Sequence, residues 1–358
     1  MDNGWGQKQQ DRAHESHGTV GHRVAPAGSV NRRHYNGLNR LMLETAHSDA
    51  KPQPAVARTG FRVYAWLVLA YNVAVILWGA YVRATGSGAG CGNHWPLCNG
   101  EITPHSPAIA TVIEFTHRVT SGLDLLLVAG LIVWAWLGFP PRHPVRRGAV
   151  LSGVFLITEA LLGASLVLLQ HVARDASAAR GWSLSVHLVN TLTLLACLTL
   201  TAWWAGGKPA LAVRGRAGRT AAASLAAVAL LGVSGAITAL GDTLYPVHSL
   251  AAGFAADFDP SASIFVRLRV WHPMIAMAVG AWLLYYAISD LRRTRRALSW
   301  AYGLVAVLAL QMAAGIENLL LLAPVWMQVV HLLLADVLWI VLVLLAAERL
   351  AVEAEPET

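Results

Sequence analysis

Four histidines in this chain of 358 residues stand inside long apolar runs: His117, His187, His272 and His331. A side chain that can ionise or coordinate is costly in hydrocarbon, so it turns toward the interior of a helical bundle or a cavity. Neutral imidazole is a good nitrogen donor to iron, zinc or copper. Two opposed imidazoles on separate helices can hold both axial positions of a porphyrin iron, with the apolar macrocycle lying between the helices. A structural zinc site is disfavoured, because no cysteine and few carboxylates lie beside these residues.

The residues one helical turn before two of these histidines differ in character. Glu114 precedes His117 by three residues on the same helical face, and Arg269 holds the equivalent place before His272. A buried glutamate can accept, deliver or relay a proton, whereas an arginine can anchor a carboxylate and cannot act as a base. The contrast assigns chemistry to the first half of the chain and a fixed cofactor to the second. In that reading Arg269 meets an anionic porphyrin propionate. The plainer readings are that Glu114 pairs with Arg118 to fix a helix end, and that Arg267 and Arg269 are interfacial anchors.

A third feature is the segment RATGSGAGCGNHWPLCNG at 83–100, in which Cys91 and Cys98 close a short loop. On an oxidising side of a membrane a disulfide there can persist. The spacing is not that of a CxxC metal knuckle, and Pro96 with neighbouring glycines favours a tight, shaped turn. A structural disulfide, a redox-active dithiol and free thiols are all open readings. Cys197 lies inside an apolar run and reads as a small packing residue.

These side chains need elements to position them, and composition says which. Apolar residues make up 56% of the chain and charged residues 13%, with a mean hydropathy of +0.50. A soluble domain carries nearly twice that charged share, so lipid is the solvent for much of the surface. About 20 residues of helix cross a hydrocarbon layer roughly 30 Å thick. Eight such helices are expected at 63–83, 108–138, 148–171, 183–205, 219–240, 267–290, 298–321 and 325–347, in an all-α polytopic membrane protein. Each even-numbered helix carries one of the four histidines about five to ten residues from its start.

The linkers after the even helices are basic: Arg142, Arg146 and Arg147, then Lys208, Arg214, Arg216 and Arg219, then Arg292, Arg293, Arg295 and Arg296. The other side has no lysine and carries Asp242, Asp257 and Asp259. That bias places both termini in the cytoplasm of a multi-pass protein of the cell membrane. It also puts all four histidines in the outer leaflet and the loops 84–107, 172–182, 241–266 and 322–324 outside. Basic residues confined to linkers form no recognition element, so the net charge of +7 does not imply nucleic acid.

Two histidines in each half suggest an internal repeat about an axis along the membrane normal, giving two pseudo-symmetric four-helix bundles. The parts are a flexible polar tail at 1–60, an N-terminal half at 61–205, a C-terminal half at 206–350 and an acidic tail at 351–358. A weak echo supports the repeat, since Glu159 with Gly163 resembles Gln311 with Gly315. Small residues in the helices allow a homo-oligomer, although no GxxxG patch specifies one.

Taken together, GSGAGCGNHWPLCNG at 86–100, EFTHR at 114–118, SVHLVNT at 185–191, WHP at 271–273 and QVVHLLLAD at 328–336 resemble the haem A synthase family over about residues 63–347. The resemblance implies an eight-helix membrane enzyme that oxidises the C8 methyl of haem O to the formyl group of haem A, for terminal haem-copper oxidases. It implies that His272 and His331 are the iron ligands of haem b, and that His117 and His187 lie at the iron of the substrate haem O. Glu114 matches the acidic residue linked to catalysis, and Cys91 and Cys98 match the outer-loop pair of one subgroup. The implied partners are membrane lipid, a haem O synthase supplying substrate, and an electron donor or acceptor. The long polar N-terminus and the stretch GDTLYPVHS at 241–249 depart from the family pattern. Alternatives are a bis-histidine haem protein of membrane electron transfer, and a transporter or assembly factor without activity.

Overall fold

The computed structural model describes residues 55–105, 107–290 and 295–351. Most of the polar tail expected at 1–60, residues 352–358, and Arg292 and Arg293 lie outside them. Among the described residues there are eight long helices: α1 (Ala55–Ala84), α2 (Ile109–Gly138), α3 (Pro144–Leu168), α4 (Ala178–Ala205), α5 (Gly215–Leu244), α6 (Trp271–Asp290), α7 (Arg295–Leu320) and α8 (Val325–Leu350). All eight spans are long and apolar enough to cross a bilayer, and the chain is a multi-pass membrane protein. Their outward faces carry exposed Leu126, Leu137 and Leu230, as a surface solvated by lipid requires.

Several helices begin or end away from their expected boundaries for local reasons. The side chain of His143 caps α3 by accepting from the Val145 N–H, with Pro144 at the first helical position. Ser177 caps α4 by accepting from the Arg180 N–H, which starts that helix five residues before 183. Past Leu168 the backbone turns left-handed at Gln170 and Ala173, so α3 stops short of 171. One difference alters the site. The sixth helix expected at 267–290 is broken: a short helix Ile264–Leu268 is followed by a turn at Arg269 and Val270 before α6 begins. The loop before it holds another short helix, Leu250–Asp257, whose N-terminus Ser249 caps.

In the first half α1 packs on α2, α2 on α3, α3 on α4, and α4 returns to α1. The second half repeats this order from α5 through α8 and back to α5. Contacts of α4 with α5 and α8, and of α1 with α8, join the two. Burial follows that placement, for half of the α8 span is buried against 11% of the α7 span. Leu194, Leu195, Leu198, Leu342 and Leu345 fill the seam, and the Trp339 Nε1–H donates to the Leu192 carbonyl at 2.7 Å. At the far end Glu348 accepts from Lys208 Nζ at 2.6 Å and from Trp203 Nε1 at 3.1 Å.

A disulfide joins Cys91 and Cys98 in the first long loop. Gly90 is where that loop lies closest to α2. A Cβ there would fall 2.4 Å from the backbone carbon and oxygen of Ala110, and the Gly90 carbonyl accepts from Thr111 Oγ1 at 2.7 Å. By contrast, a Cβ on Gly122 of α2 would meet nothing within 4 Å. Gly90→Ala should therefore cost about 1–3 kcal/mol by overpacking, while Gly122→Ala should be neutral or stabilising. Thermal unfolding midpoints of the two variants in detergent check this, and equal midpoints would contradict the contact.

Candidate functional site

Each of the four histidines faces a glycine on the helix before its own. A Cβ added at Gly79 of α1 would lie 2.9 Å from Cε1 of His117, and one at Gly163 of α3 would lie 3.6 Å from Nε2 of His187. In the second half the pairs are Gly235 of α5 with His272 at 3.0 Å and Gly315 of α7 with His331 at 3.1 Å. Absence of a side chain is thus what gives the ring its room at Gly79, Gly235 and Gly315, whereas a Cβ at Gly163 would make ordinary contact with His187. Three of the rings begin deep in their helices. His272 is instead the second residue of α6, because of the break at Arg269 and Val270.

Polar neighbours orient the rings. Nδ1 of His272 lies 3.0 Å from Ser234 Oγ, one residue before its glycine. Nδ1 of His187 lies 2.8 Å from Glu159 Oε1, and that carboxylate also accepts from Asn190 Nδ2 at 2.6 Å and from the Thr191 hydroxyl. Gln311 Nε2 lies 3.3 Å from Nε2 of His331. Nδ1 of His117 and Nδ1 of His331 are buried with no hydrogen-bond partner. Ring nitrogens held by a hydroxyl or a carboxylate on one side and left open on the other have the arrangement of metal-ligating histidines.

The geometry of the second pair fits a single metal atom between two rings. The His272 and His331 ring centroids are 6.4 Å apart with perpendicular planes. That separation accommodates a metal–nitrogen bond of about 2 Å on each side plus the distance from each nitrogen to its ring centre. Glycine backing, a hydroxyl on one Nδ1 and an orphaned nitrogen on the other ring suit an iron porphyrin. For the first pair, His187 and Glu159 are both close enough to His117 to act on its charge.

Glu114 is buried and committed to two partners. Its Oε2 accepts the Cys91 N–H at 2.8 Å, while Oε1 is held by the Arg118 guanidinium. Arg118 Nη1 in turn donates to the carbonyls of His94 and Leu97 at 2.7 Å each. The expected Glu114–Arg118 pair is therefore present, and it fastens the disulfide loop to α2 one turn before His117. Arg269, at the helix break, is paired with Asp257 at 2.9 Å and Asp242 at 3.1 Å. Its guanidinium thus has carboxylates of its own chain.

A family model of COX15-CtaA, described as cytochrome oxidase assembly protein, matches residues 62–343. The chain belongs to this family. Among COX15-CtaA relatives, a protein named Heme A synthase from Halalkalibacterium halodurans is 31% identical over 292 residues, which cover 78% of this chain and 93% of that protein. Heme A synthase from Bacillus mycoides is 38% identical over 140 residues, covering 38% of this chain and 44% of that one. A protein named Protoheme IX farnesyltransferase from Thermus thermophilus is 50% identical over 291 residues, 80% of this chain and 48% of its own. The chain spans about half the length of that Thermus protein.

Sequence reasoning singled out the histidines, Glu114, Arg269 and the cysteine pair, but not the groups that touch the rings. Glu159 and Gln311 entered only as a weak echo. Ser234, Gly79 and Gly235 did not enter at all. Two further carboxylates at membrane depth carried a readable signal, being acids inside apolar runs. Asp124 is buried against Asn72 Nδ2, and Asp336 is buried with Oδ2 unpartnered.

Because Glu114 is a shared anchor of the loop, Glu114→Ala should loosen it. Loss of a charged hydrogen-bond partner costs about 1.5–3 kcal/mol, so reduction of Cys91–Cys98 by dithiothreitol should be roughly tenfold faster or more. Thiol labelling over time reads this, and an unchanged rate would show that the loop is held elsewhere.

Proposed function

We propose that this chain is a haem A synthase, which converts the C8 methyl of haem O to a formyl group and gives haem A for terminal haem-copper oxidases. The observation that carries the reading is the set of four glycine-backed imidazoles in a COX15-CtaA chain, one that aligns with nearly the whole of a protein named Heme A synthase.

The two halves, 61–205 and 206–350, are pseudo-symmetric four-helix bundles, an N-terminal half for substrate and a C-terminal half for the cofactor. Closed packing order in each half and the repeated glycine–histidine contact support the repeat. Both termini face the cytoplasm of the cell membrane. In support, Arg146, Arg147, Lys208 and Arg349 gather at the helix ends opposite the disulfide loop, and a disulfide suits the oxidising side.

His272 and His331 hold the iron of haem b, and His117 and His187 receive the iron of haem O. Haem b, when bound, supplies one-electron redox chemistry that side chains do not have. Ser234 and Glu159 fix the orientation of one ring in each pair. Glu114, one turn outward of His117, handles protons at the substrate. Arg118 and the Cys91 N–H keep its carboxylate in place for that role. Arg269 meets a porphyrin propionate, for which Asp242 or Asp257 must release part of the guanidinium. A haem O synthase is the supplier of substrate, and the relative named for transferring farnesyl to protohaem supports such a pairing. An electron donor or acceptor completes the reaction. The facing His272–His331 pair would also serve a bis-histidine electron-transfer protein, which would leave haem O unchanged.

Expression of the full chain with a haem O supply, followed by pigment extraction, should yield new haem A. Bound haem without haem A would establish the electron-transfer reading instead. Glu114→Gln, compared at equal haem content, should lower the conversion about 100-fold or more if it moves the proton. Undiminished conversion would remove Glu114 from the chemical step.

A further inference from the structure

Arg83 stands at the outer end of α1, yet its hydrogen bonds are made with the other half. Nη1 donates to the Ala239 carbonyl at 2.9 Å and to Thr243 Oγ1 at 3.0 Å, both on α5. Nη2 donates to Gln328 Oε1 on α8 at 2.9 Å. Gln328 is held in that orientation by its own Nε2, which donates to the Ala323 carbonyl at 2.8 Å.

The positions of these partners locate the guanidinium. Gln328 precedes His331 by three residues on one face of α8, and Ala239 follows Gly235, the glycine against His272, by four on one face of α5. Three or four residues amount to about 5 Å along a helix. The Arg83 cation therefore sits one turn outward of the His272–His331 pair, above the space between α5 and α8.

Its electrostatic state differs from that of Arg269. All three of its hydrogen bonds go to neutral oxygens, whereas Arg269 has two carboxylates. Asp242 is near enough to act on the Arg83 charge, but its carboxylate is bound by Arg269. The cation of Arg180 acts against it, and Arg180 Nη1 is itself spent on the carbonyls of Ala173 and Asp175. Arg83 is only partly covered. A part-buried guanidinium with neutral partners is suited to receive an anion, and its planar fork suits a carboxylate.

We propose that Arg83, carried by the N-terminal half, anchors a carboxylate of the porphyrin held by His272 and His331 in the C-terminal half. The inference rests on the reading of that pair as porphyrin iron ligands. It makes loading of the second half depend on a residue of the first, and it adds to Arg269 a second arginine, one whose hydrogen bonds among the described residues all go to neutral oxygens.

The test uses the full-length protein in detergent, stripped of pigment and titrated with hemin or with hemin dimethyl ester, which lacks both carboxylates. Absorbance of the bis-imidazole low-spin form reports binding. Wild type should prefer hemin to the ester. Arg83→Met should bind hemin roughly tenfold to a hundredfold more weakly and leave the ester unaffected, and Arg83→Lys should fall between. Unchanged ester binding also shows that the variant is folded. Equal hemin affinity in wild type and Arg83→Met would overturn the proposal, as would an equal loss for both ligands. Repeating the titration with His117 and His187 replaced by alanine assigns the site: the Arg83 effect should persist, and its disappearance would overturn the placement in the C-terminal half. If wild type gives no low-spin form that His272→Ala abolishes, the porphyrin reading fails and this inference falls with it. If it does give that form and Arg83→Met changes nothing, only this inference fails.

Discussion

An imidazole inside hydrocarbon is stable only where something accepts its polarity and where a neighbouring helix makes room for the ring. Polar partners stand beside His187, His272 and His331, and room is made by a repeated device, a histidine toward the start of one helix facing a glycine of the helix before it. The loops, the helix break and the buried ion pairs are arranged around that device. The Glu114–Arg118 pair holds the disulfide loop one turn above His117. The turn at Arg269 and Val270 brings His272 to the very start of α6.

The helices α1–α4 and α5–α8 pack in the same order and carry different side chains around their histidines. In the first, a carboxylate, Glu159, supports one ring, and a second carboxylate, Glu114, lies outward of the other. In the second, the supporting groups are the neutral Ser234 and Gln311, and the outward charge is arginine. Anionic surroundings raise the electron density and proton affinity of a ring, whereas neutral ones mainly fix its orientation. The proposed contrast between a substrate half and a cofactor half would therefore be carried by these side chains.

The eight helices were legible because about 20 apolar residues can hardly do anything else in a protein this poor in charge, and the histidines stood out as the rare polar residues within them. Contacts were less legible. Nothing in the spacing of Ser234 or Gly79 distinguishes them from the many other small residues of apolar helices, since a helix-to-helix contact depends on rotation and crossing that a single periodicity does not fix. The break before α6 was hidden because Phe265, Val266 and Leu268 continue the apolar pattern through it. Arg269 read as a partner for a porphyrin propionate or an interfacial anchor, because its two carboxylates, Asp242 and Asp257, come from a helix end and a short helix well removed in sequence.

A site made from missing side chains has an uneven tolerance for change. At Gly79, Gly235 and Gly315 even a Cβ would come within about 2.9–3.1 Å of a ring, so any replacement there makes the ring shift. Gly163 leaves space for one more carbon beside His187. Drift in sequence can therefore line the enclosure of His187 with one more carbon at no cost, while in the other three the same carbon displaces the ring and with it whatever the ring holds.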